Sequence, residues 1–199
     1  MSHISVQDTP TRFYPMAADT PDPALPPIAL SVRQPSAWAI IHGGKVIENR
    51  SLGSIRAGKM DCRRIAIHAA VALTEKEYRW SLHKLQELGV TCPAPGDLPR
   101  SAIIGSVDVV DIVSTSDSPW FSSRPGNHGL VLENPVPCDP IPSKGKLGYF
   151  SWEPAGQLAE PAPWMRGYGA PNKDDQTLNL FDEPEPSIKS PPKKPLGEE

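Results

Sequence analysis

Four residues that can carry out chemistry lie close together in a short predicted strand. Lys45, Glu48, Asn49 and Arg50 fall where a barrel strand normally alternates valine and isoleucine. Such a set can read a nucleobase edge, because a carboxylate accepts hydrogen bonds, an ammonium donates them and an amide does both. It can also transfer protons, with Glu48 as general base and Lys45 stabilising an oxyanion. We interpret the cluster as a site and favour binding, since no Ser, Thr or Cys nucleophile accompanies the motif.

The geometry of this cluster depends on where its strand begins. If the strand is regular from Lys45 onward, Glu48 and Arg50 share one face and can form an ion pair, while Lys45 faces the other way. If Lys45 precedes the regular part, its side chain is not bound by that alternation. The sequence leaves both arrangements open.

Short strands and helices are predicted around the cluster. A buried strand at 28–32 leads to a helix that starts near Pro35 and ends at Gly43-Gly44. Residues 74–77 have the spacing of a capping box and open a second helix, which ends at Gly89. Further strands are predicted at 45–50, 65–70, 101–115, 128–134 and 147–152, with a loop at 51–64 and a proline-rich turn at 135–146.

This pattern indicates an α+β fold, a small mixed β-barrel of five or six strands with two or three helices, flanked by disordered tails. Gly105 is expected to bend the long strand through a β-bulge. In the strand at 65–70, Ile65 and Ile67 face one way and Ala66 and His68 the other.

Composition separates a folded body from its two ends. Of the 25 prolines, six precede residue 28 and nine follow residue 152. Residues 28–152 carry 14 Lys and Arg against 11 Asp and Glu, whereas the ends are acidic. We expect a flexible arm at 1–27, one domain at 28–153 and a disordered acidic tail at 154–199. A mildly basic body is compatible with a nucleic-acid ligand.

Several other classes of protein are disfavoured. No apolar run approaches the roughly 20 residues of a membrane span, and the N-terminus lacks the order of a signal peptide. Cys62, Cys92 and Cys138 are odd in number and contain no CxxC pair, which argues against a disulfide framework or a zinc site. His42 and His128 lack the spacing of metal ligands. We expect a cytoplasmic monomer with no metal, no cofactor and no membrane partner.

Five blocks of sequence, in this order, resemble ASCH domains of the PUA-like superfamily. They are LSVRQPSAWAIIHGGKVIENR at 30–50, RRIAIHAA at 63–70, GSVDVVDIV at 105–113, GNHGLVLENP at 126–135 and PIPSKGKLGYFSW at 140–152. The most specific piece is Gly44-Lys45-x-x-Glu48-Asn49-Arg50 after Arg-Gln-Pro. The chain departs from the family at Ser36, where Trp is common, and at Leu52, where an aromatic residue often follows.

The resemblance implies a small β-barrel with a cleft that binds RNA or modified nucleobases. Some ASCH proteins are amidohydrolases that act on N4-acetylcytidine, and ribonuclease activity has been proposed for others. In the amidohydrolase pattern a Thr nucleophile follows the Lys by three positions, whereas here Lys45 matches and Glu48 replaces the Thr. We therefore predict binding of RNA or a nucleobase-containing ligand, with hydrolysis of an acylated nucleoside as the alternative.

Residues predicted to bind the ligand extend beyond the cluster. The complete set is Gln34, Trp38, Lys45, Glu48, Asn49, Arg50, His68, Trp120 and Lys144, of which Lys45 and Glu48 would be catalytic in an enzyme. Trp38 is the candidate stacking platform, although a Trp on the apolar side of a helix more often belongs to the core. Trp120 is expected to be exposed in its loop, where it is a candidate lid over the ligand. His68 is an acid/base candidate or simply a hydrogen-bonded strand residue. Lys144 is a phosphate contact or part of a solvated turn.

An apolar island, QTLNLF at 176–181, interrupts the acidic tail. It resembles the short peptides with which bacterial replication and repair proteins bind the sliding clamp, with Gln176 first and Leu178, Leu180 and Phe181 as anchors. A second alternative is therefore a DNA-associated adaptor that binds a clamp. Short motifs recur by accident, and the same side chains could instead fold back onto the barrel.

Overall fold

The structure, a computed structural model, describes residues 25–168. Most of the predicted arm and tail, including the island at 176–181, lies outside the described residues. The elements, in chain order, are β1 Ile28–Val32, α1 Ser36–His42, β2 Ile47–Ser51, α2 Leu52–Ala57, β3 Arg64–Ala69, α3 Glu75–Glu87, β4 Ala102–Val113, β5 Asn127–Pro142, β6 Tyr149–Ser151 and α4 Pro163–Arg166.

The six strands form one mixed sheet in the order β2-β5-β4-β3-β1-β6. Strands β1 and β3 are parallel, and all the other neighbours are antiparallel. The sheet curls, and α1 packs across β3, β4 and β5. The predicted α+β class, with six strands, is confirmed.

Two sets of core side chains lie on opposite faces of the sheet. Ile65 and Ile67 of β3 belong to the larger core, together with Ile40 of α1. Ala66 packs in a second cluster with Phe150 of β6. The alternation predicted for this strand is confirmed, and it places His68 on the Ala66 side.

The long strand β5 differs from the prediction. We expected a strand at 128–134 and a proline-rich turn at 135–146, but β5 continues through its prolines to Pro142. β2 pairs only with residues 127–131 of β5, so the later part has β4 as its strand neighbour on one side alone. Proline is tolerated there because the outer edge of a strand needs no N–H donor for a second ladder. The predicted turn is therefore wrong up to Pro142.

Two details of β4 and α3 follow from local sequence signals. Gly105 lies at a register shift of β4, as predicted, and a Cβ added there would stand 2.5 Å from the Val136 carbonyl oxygen. Helix α3 begins with the predicted capping box, in which the Thr74 and Glu77 side chains bond each other's backbone N–H groups.

The loop predicted at 51–64 instead contains α2, whose N-cap Ser51 accepts a hydrogen bond from the Ser54 N–H.

Packed structure continues past the predicted domain end at residue 153. Arg100 donates to the Glu160 carbonyl oxygen at 2.6 Å, and Met165 of α4 is buried against Tyr78. This third cluster fixes α3 to the body, and α3 forms one wall of the site described below. No helix in the part of the chain that the structure describes is long and apolar enough to cross a membrane.

Candidate functional site

The side chain of Lys45 can reach Glu48 because Lys45 lies before the regular part of β2, which begins at Ile47. Gly44 adopts φ +67°, and the Lys45 N–H bonds the Ala39 carbonyl oxygen of α1 at 3.0 Å. From this position Lys45 Nζ donates to the Ile47 carbonyl oxygen at 2.6 Å and to Glu48 Oε2 at 2.7 Å. The left-handed conformation, which favours glycine, thus sets the direction of the lysine side chain.

Glu48 accepts a second cation on its other oxygen. Arg50 Nη2 lies 3.2 Å from Glu48 Oε1, so the two residues share a strand face and form an ion pair. Arg50 also donates to the Ser31 carbonyl oxygen at 2.6 Å, which ties β2 to β1. Burial raises the pKa of Glu48, but the charges and hydrogen bonds of Lys45 and Arg50 outweigh it and hold that pKa below its ordinary value. Glu48 is therefore ionised at neutral pH.

Asn49 organises a loop. Its Nδ2 donates to the Trp120 carbonyl oxygen at 2.7 Å, and its Oδ1 accepts from the Ser122 N–H at 2.8 Å and from Asn127 Nδ2 at 3.0 Å. The residue lines the site, but most of its hydrogen-bonding capacity holds the loop in place. We predicted a ligand contact for Asn49, and the structure places it chiefly as a positioning residue for Trp120.

Two adjoining cavities lie above this cluster and together form what we call the cleft. The first cavity, of about 570 Å³, lies between Lys45, the loop at 119–124 and α3. The second cavity, of about 710 Å³, lies between the end of β1, Arg50 and the first turns of α3. Both are lined by Ser36, Glu48, Asn49, Trp80, Ser81 and Arg124.

Cations outnumber carboxylates along the cleft. The cations are Arg33, Lys45, Arg50, Lys76, Lys84 and Arg124, and the carboxylates are Glu48 and Glu77. Since Glu48 and Glu77 are already paired with lining cations, the remaining charge is positive. Such a lining attracts anionic ligands.

Two tryptophans contribute to the walls of the cleft. Trp120 lines the first cavity beside Phe121, at the place where we predicted an exposed aromatic loop. Trp80 of α3 lines both cavities and is 67% exposed. Sequence reasoning missed Trp80, although a Trp on the solvent side of an amphipathic helix is a signal that could have identified it.

Gln34 and Trp38 have roles around α1. Gln34 lines the second cavity, but its Oε1 accepts from the Trp38 N–H at 3.0 Å and its Nε2 donates to the Pro99 carbonyl oxygen at 2.8 Å. These bonds make it a support for the helix. Trp38 packs against the cluster of Tyr78 and Met165 and does not line either cavity. Trp38 is thus half-buried on the core side of α1, and its role as a stacking platform stays a prediction.

His68 lies apart from Lys45 and Glu48. It lines a third cavity, of about 250 Å³, which shares Ser31, Ala70 and Leu147 with the second cavity of the cleft. Its Nε2 donates to the Ser143 carbonyl oxygen at 3.0 Å. Because a carbonyl can only accept, Nε2 carries the proton, and Ser31 Oγ donates to Nδ1 at 3.0 Å. Burial lowers the pKa of His68, against the opposing effect of the Ser143 hydrogen bond. His68 lines neither cavity of the cleft itself, and its contact with a ligand stays a prediction.

Lys144 also lies outside the cleft. It lines a depression of about 440 Å³ beside Trp152 and Glu153. The turn that carries Lys144 follows the end of β5 at Pro142, whereas β2 pairs with residues 127–131 near the start of that strand. The predicted phosphate contact therefore does not belong to the site of Lys45. Among residues 25–168, no group of His, Cys, Asp and Glu side chains is arranged to hold a metal ion.

Comparison with known proteins adds little to this geometry. No family model matches the chain, and no curated protein matches it. Among solved structures, a serine-to-alanine mutant of ZmASCH from Zymomonas mobilis superposes with a TM-score of 0.32 and 18% identity, covering 58% of this chain and 72% of that one.

Proposed function

We propose that the protein binds RNA or another nucleobase-containing ligand in the cleft, with the base edge at Lys45 and Glu48. The observation that carries this proposal is the buried ion pair at a cavity that is also lined by two tryptophans and by the cations Lys84 and Arg124. A buried pair is costly to desolvate and replaceable by apolar side chains where only stability is required. Its place on the wall of an open cavity favours a role in recognition.

The pair offers a base both an acceptor and a donor. Each carboxylate oxygen of Glu48 accepts one protein cation and keeps capacity for another hydrogen bond. Lys45 Nζ spends two of its three protons on Ile47 and Glu48. An exocyclic amine beside a ring nitrogen acceptor, as in cytosine or adenine, matches this combination. We therefore expect bases with an exocyclic amine to bind more tightly than uracil.

The walls of the cleft suit the rest of such a ligand. Unstacked bases bind to aromatic side chains, and Trp80 and Trp120 both line the first cavity. Phosphates bind to lysine and arginine, and Lys84 and Arg124 line the same cavity. The cleft thus offers a partner for the base and the phosphate of a nucleotide.

Calorimetric titration tests this proposal. Cytidine, adenosine, guanosine, uridine and short RNA are titrated into the wild type and into Trp80→Ala, a variant at an exposed position that is expected to stay folded. Stacking of one base contributes about 1–3 kcal/mol, so Trp80→Ala should weaken binding by that amount. A wild type that binds none of these compounds contradicts the proposal.

A separate activity assay tests the enzyme alternative. N4-acetylcytidine is incubated with the protein, and the release of cytidine is followed by chromatography. Turnover that disappears in Lys45→Gln and Glu48→Gln, with the folded state of both variants checked by circular dichroism, would reassign the pair as a general base and its partner. No turnover, together with binding, leaves recognition as the function.

A further inference from the structure

We propose that the cleft holds a single-stranded nucleic-acid segment of at least two nucleotides, one in each cavity, rather than a free nucleoside. The inference rests on the proposed function, because it takes the base at Lys45 and Glu48 as the first of the two. It names the class of ligand, a strand with phosphodiester links, that this site is built to accept.

The size and continuity of the cleft support a ligand longer than one nucleoside. Cavities of about 300–1,000 Å³ hold one small organic ligand. The two cavities, of about 570 and 710 Å³, each fall in this range, and they run into one another along a common wall that includes Ser36 and Ser81. A single nucleoside at Lys45 leaves the second cavity unfilled.

The charges of the second cavity suit phosphates. Lys76 lines the second cavity but not the first, whereas Arg124 lines both. Neither side chain makes an ion pair within residues 25–168. Both side chains are exposed. Arg124 thus lies at the junction of the two cavities, where the phosphodiester that joins two nucleotides has to pass. An unpaired guanidinium at this point is suited to a phosphate.

Trp80 lies at the same junction. It lines both cavities and is 67% exposed, although the helix that carries it is well packed through Tyr78 and Leu85. Large exposed aromatic side chains next to cations are typical of grooves that bind single strands, in which bases stack on the rings. Its position allows it to stack with a base in either cavity.

The first test is the dependence of affinity on ligand length. Nucleosides, dinucleotides and trinucleotides of each base, as RNA and as DNA, are titrated at fixed salt. We expect an increase of at least about tenfold in affinity from nucleoside to dinucleotide, because the second nucleotide adds a stacked base and a phosphate. Equal affinity for nucleoside and trinucleotide overturns the inference but leaves the proposed function intact. No binding of any probe overturns both.

The second test is a variant confined to the second cavity. Lys76→Gln should weaken trinucleotide binding more than nucleoside binding and reduce the slope of log affinity against log salt by about 0.7. Lys144→Gln, a lysine in a separate depression, serves as the matched control and should change neither quantity. Trp80→Phe should keep most of the affinity that Trp80→Ala loses. If the salt dependence of trinucleotide affinity is the same in Lys76→Gln as in the wild type, Lys76 does not bind a phosphate and its assignment in the second cavity is overturned.

Discussion

Lys45 Nζ lies 2.7 Å from Glu48 Oε2, and each residue is only 8% exposed. The pair is held by elements on both sides: Lys45 is bound to α1 through the Ala39 carbonyl oxygen, and Glu48 is bound through Arg50 to β1. Its polar groups are thus fixed in direction at the wall of the cleft. Fixed donors and acceptors are what a site needs to discriminate between similar ligands.

Removal of the Glu48 charge should destabilise the protein strongly. In Glu48→Gln the buried cation of Lys45 and the half-buried cation of Arg50 lose their counter-ion, and breaking a buried pair in this way costs roughly 3–5 kcal/mol. The free energy of unfolding in urea measures the loss. Glu75→Gln, which breaks an exposed pair with Arg79, is the matched control and should change little. A loss in Glu48→Gln no greater than in the control contradicts the burial of the pair.

The contribution of Glu48 should disappear at low pH. Because its pKa in the folded protein lies below the ordinary value of 4.5, the stabilisation is complete above that value and is lost as the pH falls through the folded pKa. The difference in unfolding free energy between wild type and Glu48→Gln should therefore be constant from pH 7 to about 5 and shrink below about 4.5. A difference that grows on acidification would mean that Glu48 is protonated in the folded state.

Much of the fold could be predicted from local patterns, and the exceptions have physical causes. The capping box at Thr74 and the bulge at Gly105 are confirmed because each depends on neighbouring residues alone. The extension of β5 to Pro142 could not be seen, because proline is acceptable only where a strand lacks a neighbour, which is a property of the sheet. The contact between Lys45 and Glu48 could not be predicted, because it depends on where β2 becomes regular, and β2 begins only at Ile47. Trp38 packs in the core and Trp80 lines the cleft because helix packing decides which face of each helix is buried.

His68 should be neutral and protonated on Nε2. Burial lowers its pKa below 6.5, so the ring should titrate below that value, and the stability that depends on the neutral ring is lost as the pH falls from 6.5 through the folded pKa. Long-range proton–nitrogen correlation spectra report both the tautomer and the midpoint. A ring protonated on Nδ1 at neutral pH would contradict the hydrogen bond to the Ser143 carbonyl oxygen.

Asn49→Ala should loosen the loop that carries Trp120. The variant removes the acceptor of the Ser122 N–H and of Asn127, and an amide that loses its partner costs about 1–3 kcal/mol. Hydrogen exchange of the Ser122 amide should become faster. Arg124→Gln, in the same loop but without a side-chain bond to Asn49, is the control and should leave that rate unchanged. Unaltered exchange in Asn49→Ala would show that other contacts hold the loop.

The most direct test of the central claim is a crystal structure of the protein with a bound cytidine or adenosine nucleotide. We predict that the exocyclic amine lies within hydrogen-bond distance, about 3.2 Å or less, of the Glu48 carboxylate, with Lys45 Nζ near the ring acceptor and an aromatic ring of Trp80 or Trp120 against the base. A nucleotide seated instead in the cavity of His68 or beside Lys144, with no contact to Lys45 and Glu48, would contradict the claim.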